Sequence, residues 1–264
     1  MKILSIGDIH GRDHWMDLTH GSTYDYGHWR TSVEHGAPAD AEIHNDMPYW
    51  QYDKIVFIGD YVDSFDVSNA VMIHNLKEII WFKQQLPDKV VLLLGNHDIQ
   101  YIVENQYCSG FRPEMKWQFG RLFEENAELF QFAFQINDYI WTHAGITSGW
   151  YKEFCSEFYN PGFRFAEIIK EENPECIAAE LNLAWKFRMD VLYRVDSASG
   201  GYSTWGGPIW VRPHVLNEHG MDYNQIVGHT PQSDIWECEI NEHIKHYFID
   251  CLEWGNTKGL TLNI

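Results

Sequence analysis

Five short apolar runs, each ending abruptly in a polar, glycine-containing turn, constrain this chain more than any other feature of it. Lys2–Ile6 leads into Gly7-Asp8, Lys54–Ile58 into Gly59-Asp60, and Lys89–Leu94 into Gly95-Asn96. Tyr139–Thr142 leads into His143-Ala144-Gly145, and Gln225–Val227 into Gly228-His229. Near-continuous apolar runs of this length suit strands buried on both faces. Between the second and third runs, Val71, Leu76, Ile79, Ile80 and Phe82 recur at helical spacing within 67–86, which predicts a β-α-β unit. Helices are expected near Lys116–Phe130, Phe165–Glu171 and Glu175–Tyr193, and strands at Ile235–Ile240, Lys245–Ile249 and Lys258–Asn263. The fold class is therefore α/β. No internal repeat, low-complexity tract or Pro, Gly or Ser-rich linker interrupts the chain. Residues 1–264 read as a single domain elaborated by two insertions, at about 12–50 and 148–205. Long insertions at the mouth of a site often serve as lids.

Ligands of open α/β sheets gather outside the carboxyl ends of strands, so five polar clusters at five strand ends can converge on one point. In Gly7-Asp8-Ile9-His10-Gly11, residues two apart in extended chain share a side, so Asp8 and His10 can grip one ion while Ile9 turns inward. Gly59-Asp60-Tyr61-Val62-Asp63 supplies a carboxylate pair. Gly95-Asn96-His97-Asp98 supplies an amide oxygen, an imidazole and a carboxylate, and His143 and His229 add one imidazole each. Any one cluster alone reads as a capped turn; five in this order, each at a strand end, do not. The chain holds 14 histidines, so position must choose among them. His229 ends an apolar run, whereas its rivals His214 and His219 do not.

Together with Gly228-His229-Thr230, these motifs resemble the calcineurin-like metallophosphoesterases over nearly the whole chain. The nearest branch is that of the serine/threonine protein phosphatases, including its bacterial and phage members and the symmetrical dinucleoside tetraphosphatases. The resemblance implies a four-layer α/β/β/α sandwich carrying the two insertions. It implies that Asp8 and His10 bind one metal, that Asp60 bridges to a second, and that Asn96, His143 and His229 complete the second site. His97 would be the general acid, held by Asp63, and Arg212 in Pro208-Ile209-Trp210-Val211-Arg212 would hold the phosphate. The implied activity is phosphoester hydrolysis at a dinuclear centre, with a bridging hydroxide attacking phosphorus in line. Oxygen and nitrogen donors without thiolate favour two divalent Mn ions, with Fe or Zn as alternatives.

One departure bears on the substrate. The branch usually reads GDxVDRG, whereas here Asp63-Ser64-Phe65 follows, and a hydroxyl cannot replace the charged fork of arginine. Arg12 either substitutes for it in part or is a surface residue opening the first insertion. The expected substrate is a phosphorylated protein or a small phosphorylated molecule. The alternative keeps the core and cleaves a nucleotide, a dinucleoside polyphosphate or a phosphodiester. Trp15, Tyr24, Tyr26, Trp29, Tyr49, Trp50 and Tyr52 form either a stacking platform or a small aromatic core of the first insertion. Asp250 either orients a metal ligand or is a strand-end turn residue.

Composition excludes several classes. The formal charge of −19 argues against long nucleic acids as partners, because neutralising phosphates needs clustered Lys and Arg. It does not exclude a phosphorylated substrate at a locally positive metal site. No apolar run approaches the roughly 18 residues that cross a bilayer. Met1-Lys2 passes straight into Ile3-Leu4-Ser5-Ile6, too short for the apolar region of a signal peptide. No membrane partner is expected, and the location is read as cytoplasmic. The 5 cysteines form no CxxC pair and read as reduced, incidental thiols.

Overall fold

The first three apolar runs are strands β1 (Lys2–Ile6), β2 (Lys54–Phe57) and β3 (Val90–Leu93), and their alternating side chains decide the layering. Leu4, Ile6, Ile55, Phe57, Val90 and Leu92 enter one core, shared with helices. Ile3, Val56, Val91 and Leu93 enter another, which they share with Trp141, Ile226 and Tyr247 of a second sheet. The computed structural model describes residues 1–21, 48–252 and 256–264.

Among the described residues, two five-stranded sheets result. In the first, β1, β2, β3 and the two-residue β4 (Phe130–Gln131) run parallel, and β10 (Leu260–Asn263) flanks β1 antiparallel. The second comprises β5 (Ala133–Ile136), β6 (Tyr139–Thr142), β7 (Asn224–Val227), β8 (Trp236–Glu239) and β9 (Lys245–Phe248), in the order β5-β6-β7-β9-β8. Its parallel centre is β6, β7 and β9. Trp141 donates from Nε1 to Ser5 Oγ at 2.8 Å, a buried polar tie between the sheets.

The first sheet's helical layer includes α1 (Trp15–Thr19), α2 (Asn69–Gln85), α3 (Asn96–Ile102) and α4 (Lys116–Glu125). Ser68 caps α2 by accepting from Val71 N, and Met72, Leu76, Ile79, Ile80 and Phe82 form its buried stripe. The second insertion folds as α5 (Ser148–Phe158), α6 (Ala166–Glu172) and α7 (Ile177–Lys186). Asn182 of α7 ties it to β5, accepting from Phe132 N and Ala133 N and donating to Ala133 O. Helix α8 (Pro213–His219) presses Leu216 against Val227 and Phe248 on the outer face of the second sheet. The α/β/β/α order agrees with the sequence reading. No described helix is long and apolar enough to cross a membrane.

Two helix boundaries differ from expectation. The helix expected over Lys116–Phe130 stops at Glu125, where Asn126 turns its side-chain amide back to Leu122 O and Phe130 pairs beside Leu92 instead. The helix over Glu175–Tyr193 stops at Lys186, because Arg188 takes a left-handed φ of 53° before a short 3-10 turn over Asp190–Tyr193. Among the aromatics of the first insertion, Trp15 and Tyr49 are buried against Phe82, and Trp15 Nε1 donates to Asn75 Oδ1 at 2.8 Å. These two are core, not platform; Tyr24, Tyr26 and Trp29 lie outside the described residues.

Candidate active site

Strand register brings the motifs level. Ile6 pairs with Phe57, and Phe57 with Leu92, so Gly7-Asp8, Gly59-Asp60 and Gly95-Asn96 leave the first sheet at one height. Trp141 pairs with Ile226, which does the same for His143 and His229 on the second sheet. The first two turns lock together through His10 N donating to Asp60 O at 2.7 Å and Gly11 N to Tyr61 O at 2.9 Å. A side chain at Gly95 or Gly228 would collide with the carboxylates of Asp60 and Asp8 respectively, so both positions need glycine for close approach. His10, Asp60, Asp63 and His229 all take left-handed backbone, with φ of 45°, 50°, 64° and 66°. Such conformations cost about 1–3 kcal/mol each in non-glycine residues and persist only where surroundings enforce them. Four at one place indicate side chains aimed at a shared target.

That target surrounds Asp60, which is 2% exposed. Its Oδ1 accepts from His97 N at 2.9 Å. Its Oδ2 lies 3.8 Å from His10 Nε2 and 3.3 Å from His143 Nε2. Backbone carbonyls hold the far nitrogen of each ring: His143 Nδ1 faces Ile58 O at 3.0 Å, and His10 Nδ1 faces Asp63 O at 2.9 Å. Each Nδ1 must therefore carry the proton, which lets Nε2 offer its lone pair to a cation. His143 Nε2 also lies 2.9 Å from Asn96 Oδ1, and His229 Nδ1 lies 2.9 Å from the same oxygen. His229 Nε2 is buried without a hydrogen-bond partner. Electron-rich atoms of the described residues thus converge on one place, an arrangement suited to cations. The donor set of carboxylate, amide oxygen and imidazole fits divalent ions of the Mn, Fe or Zn type.

Burial pushes the Asp8 carboxyl up, and the neighbouring carboxylates of Asp250 and Asp60 push it further. Burial would raise Asp60 too, but the imidazoles of His143, His97 and His10 hold it far below the usual range. Asp8, His10 and Asp60 form one cluster whose ligand atoms all lie within 4.8 Å of one another; Asp60, His143 and His229 form a second.

Beside these clusters His97 presents its ring, with Nδ1 3.3 Å from Asp63 Oδ2. Burial lowers its affinity for protons, but the Asp60 charge and the Asp63 bond outweigh burial and raise it well above the ordinary value. Asp63 is fixed in turn by Gln100 Nε2 and Tyr101 OH, both donating to its carboxylate.

A cleft of about 900 Å³ opens over this floor. His10, Asp60, Asn96, His97, Arg212, His229 and Asp250 line it, while Asp8 and His143 lie beneath, at 1% and 0% exposure. Arg212 reaches Thr230 Oγ1 at 3.3 Å. The exit of the second insertion, including Arg194 and Tyr202, supplies another stretch of wall. His214 and His219 are exposed and do not line the cleft.

Several placements were not legible in the motifs. Asp98 turns from the cleft, accepting from Asp60 N, Tyr61 N and Gly95 N at 2.8, 2.9 and 2.9 Å. Its spacing after Gly95, as the third residue of a helix, was the available signal. Cys108, grouped with the incidental thiols, lines the cleft and accepts from Asn96 Nδ2 at 3.5 Å, which turns Asn96 Oδ1 towards the imidazoles. Arg12 fits neither reading: its guanidinium is mostly buried, bound to Asp66 Oδ1 at 2.7 Å, and outside the cleft lining. Ser64 is buried, and Arg112 holds its carbonyl from below. Asp250 is buried beside Asp8, close enough for its carboxyl to act on that of Asp8.

Fold and site define a metal-dependent phosphoester hydrolase. The family profile of the calcineurin-like phosphoesterases matches residues 1–233, and the chain belongs to that family. No curated protein sequence matches it significantly. Among solved structures, a cold-active protein-tyrosine phosphatase from a psychrophilic Shewanella is similar at 14% identity and a TM-score of 0.54, covering 99% of this chain and 80% of that one. Another structure of a cold-active protein tyrosine phosphatase gives 16% identity and 0.54, covering 99% and 78%. A protein serine/threonine phosphatase from Saccharomyces cerevisiae gives 18% and 0.44, covering 94% and 67%.

Proposed function

We propose that the chain is a phosphatase with a dinuclear centre, in which Asp8, His10 and Asp60 hold one divalent ion and Asp60, Asn96, His143 and His229 hold the other. The observation that carries this reading is that Asp60 belongs to both ligand clusters, with its Oδ2 facing two imidazole nitrogens whose far sides are tied to carbonyls. Bound there, two divalent ions would supply Lewis-acid polarisation of the phosphoryl group and a water acidified for in-line attack. Manganese is the ion we would load first.

The remaining chemistry belongs to the chain. Arg212, at the cleft wall beside Thr230, grips the phosphoryl oxygens. His97 delivers a proton to the leaving oxygen, and Asp63 orients the ring and favours its charged form. Gln100 and Tyr101 occupy the carboxylate of Asp63 and stop it from rotating away. The substrate is a phosphoprotein or a small phosphorylated molecule.

Metal content and a substrate panel test this together. With Mn²⁺ the protein hydrolyses an aryl phosphomonoester, and exhaustive chelation abolishes the activity. Asp60→Asn loses both ions, because it weakens the shared ligand. Two fully occupied sites in Asp60→Asn would remove the bridging role. Hydrolysis of a diester or of dinucleoside tetraphosphate far above that of monoesters would overturn the substrate assignment.

A further inference from the structure

Among the described residues, the two most exposed large hydrophobic side chains are Phe65 and Tyr202, at 80% and 105%, and both line the active-site cleft. Tyr107, at 50%, lines it with them. Single exposed apolar residues are ordinary on a protein surface, but three around one cleft with a polar floor mark a place for a flat apolar group.

Phe65 is held outward by its own turn. Ser64 points down, its hydroxyl donating to Asp66 Oδ1 at 2.6 Å and accepting from Val67 N at 3.3 Å. The Arg112 guanidinium grips Ser64 O and Asn69 Oδ1 from below, and Asp63 is left-handed. With its neighbour fixed on both sides, Phe65 cannot fold back beneath the turn. Gly110 shows where the ring stands: a Cβ there would lie 3.7 Å from both Phe65 Cζ and His97 Cε1. The Tyr107 ring packs on Phe111 at 4.5 Å between centroids, which stiffens the same rim. The aromatic wall therefore stands beside the proton donor, on the side where the leaving group departs.

We infer that Phe65 and Tyr107 form a leaving-group subsite selecting aryl phosphomonoesters, with the phosphotyrosyl side chain as the substrate class. This rests on the assignment of His97 as general acid. In the reaction the bond between phosphorus and the phenolic oxygen breaks and one forms between phosphorus and a water oxygen. The phenolic oxygen takes the proton of His97, the attacking water keeps one proton on phosphate and gives up the other to solvent, from which His97 is reprotonated, and the products are a free phenol and inorganic phosphate. A phenol, with a pKa of about 10, leaves more readily than the alcohol of serine, so ring recognition and leaving-group chemistry favour the same substrate.

The test uses the full chain loaded with Mn²⁺ and two phosphopeptides identical except for phosphotyrosine or phosphoserine. Their kcat/KM ratio should fall about 3- to 10-fold in Phe65→Ala and in Tyr107→Ala, and recover in Phe65→Tyr. Binding is measured separately by calorimetry with benzylphosphonate and ethylphosphonate. The benzyl compound should bind the unaltered chain about 3- to 10-fold more tightly and lose that advantage in Phe65→Ala. A ratio unmoved in both alanine variants, equal affinity for the two phosphonates, or a clear preference for adenosine monophosphate over both would overturn the subsite. If no phosphoester is hydrolysed, the hydrolase reading fails, and the phosphonate comparison still decides the subsite on its own.

Discussion

Asp98 sits under the turns that carry the candidate metal ligands without facing the cleft, and its removal gives a quantitative test of how those turns are held. It is fully buried, and its carboxylate is the acceptor for the backbone N–H groups of Asp60, Tyr61 and Gly95. A buried donor stripped of its acceptor costs about 1–3 kcal/mol. Asp98→Ala strips three, although water entering the vacated space and some relaxation recover part of the loss. We expect a destabilisation of about 3–5 kcal/mol, against a total of about 5–15 kcal/mol for an ordinary domain. Asp98→Asn keeps one acceptor oxygen but points an amide N–H at a backbone donor, so about 1–3 kcal/mol is expected. Urea denaturation of chelated protein measures both, since bound metal would add its own stabilisation. Mn²⁺ titration of the same variants should show weaker binding, because Asp60 and Asn96 adjoin the turns that Asp98 holds. An alanine variant within about 1 kcal/mol of the parent, with unchanged Mn²⁺ affinity, would show that Asp98 does not hold these turns.

His97→Ala should lower kcat by about two to four orders of magnitude while both ions remain bound, as read by turnover alongside metal analysis; a variant with parental turnover removes His97 from the chemistry. Burial pushes His246 down to about 4, where Asn217 Oδ1 faces its Nδ1 at 3.0 Å. The unfolded chain protonates this ring near its ordinary value of about 6.5. Between those values the unfolded state binds more protons, so stability falls as pH drops from about 6.5 towards 4, by up to about 3 kcal/mol. His246→Gln should flatten urea midpoints between pH 7.5 and 4.5, and parallel pH profiles for the two proteins would exclude this group as the cause.

The strands that carry the site were legible because each apolar run stops at a glycine beside a ligand-type residue. Those of β4 and β5 were not: the first has two residues and the second is buried at Ala133 but half-buried at Phe134, Gln135 and Ile136. The division into two sheets was hidden for a different reason. When both faces of a strand are buried, Ile3 and Leu4 look alike in sequence although they enter different cores. Cys108 and Arg112, and Asp98 in its bonds to Asp60 and Tyr61, act through partners that folding alone brings near. Arg112 grips Ser64 across 48 positions, a distance at which no local pattern carries information.

The candidate ligands straddle the boundary between the sheets. Asp8, His10, Asp60 and Asn96 follow strands of the first, and His143 and His229 follow strands of the second. Asp8 already meets His229 N across 221 positions of chain. Ions held by all six side chains would act as rivets through the seam, adding to the apolar face and to the polar ties the two halves already share, among them Trp141–Ser5 and His143–Ile58. Occupancy would then be a mechanical property as well as a catalytic one: bound ions would add stability to the seam between the sheets, and chelation would remove it.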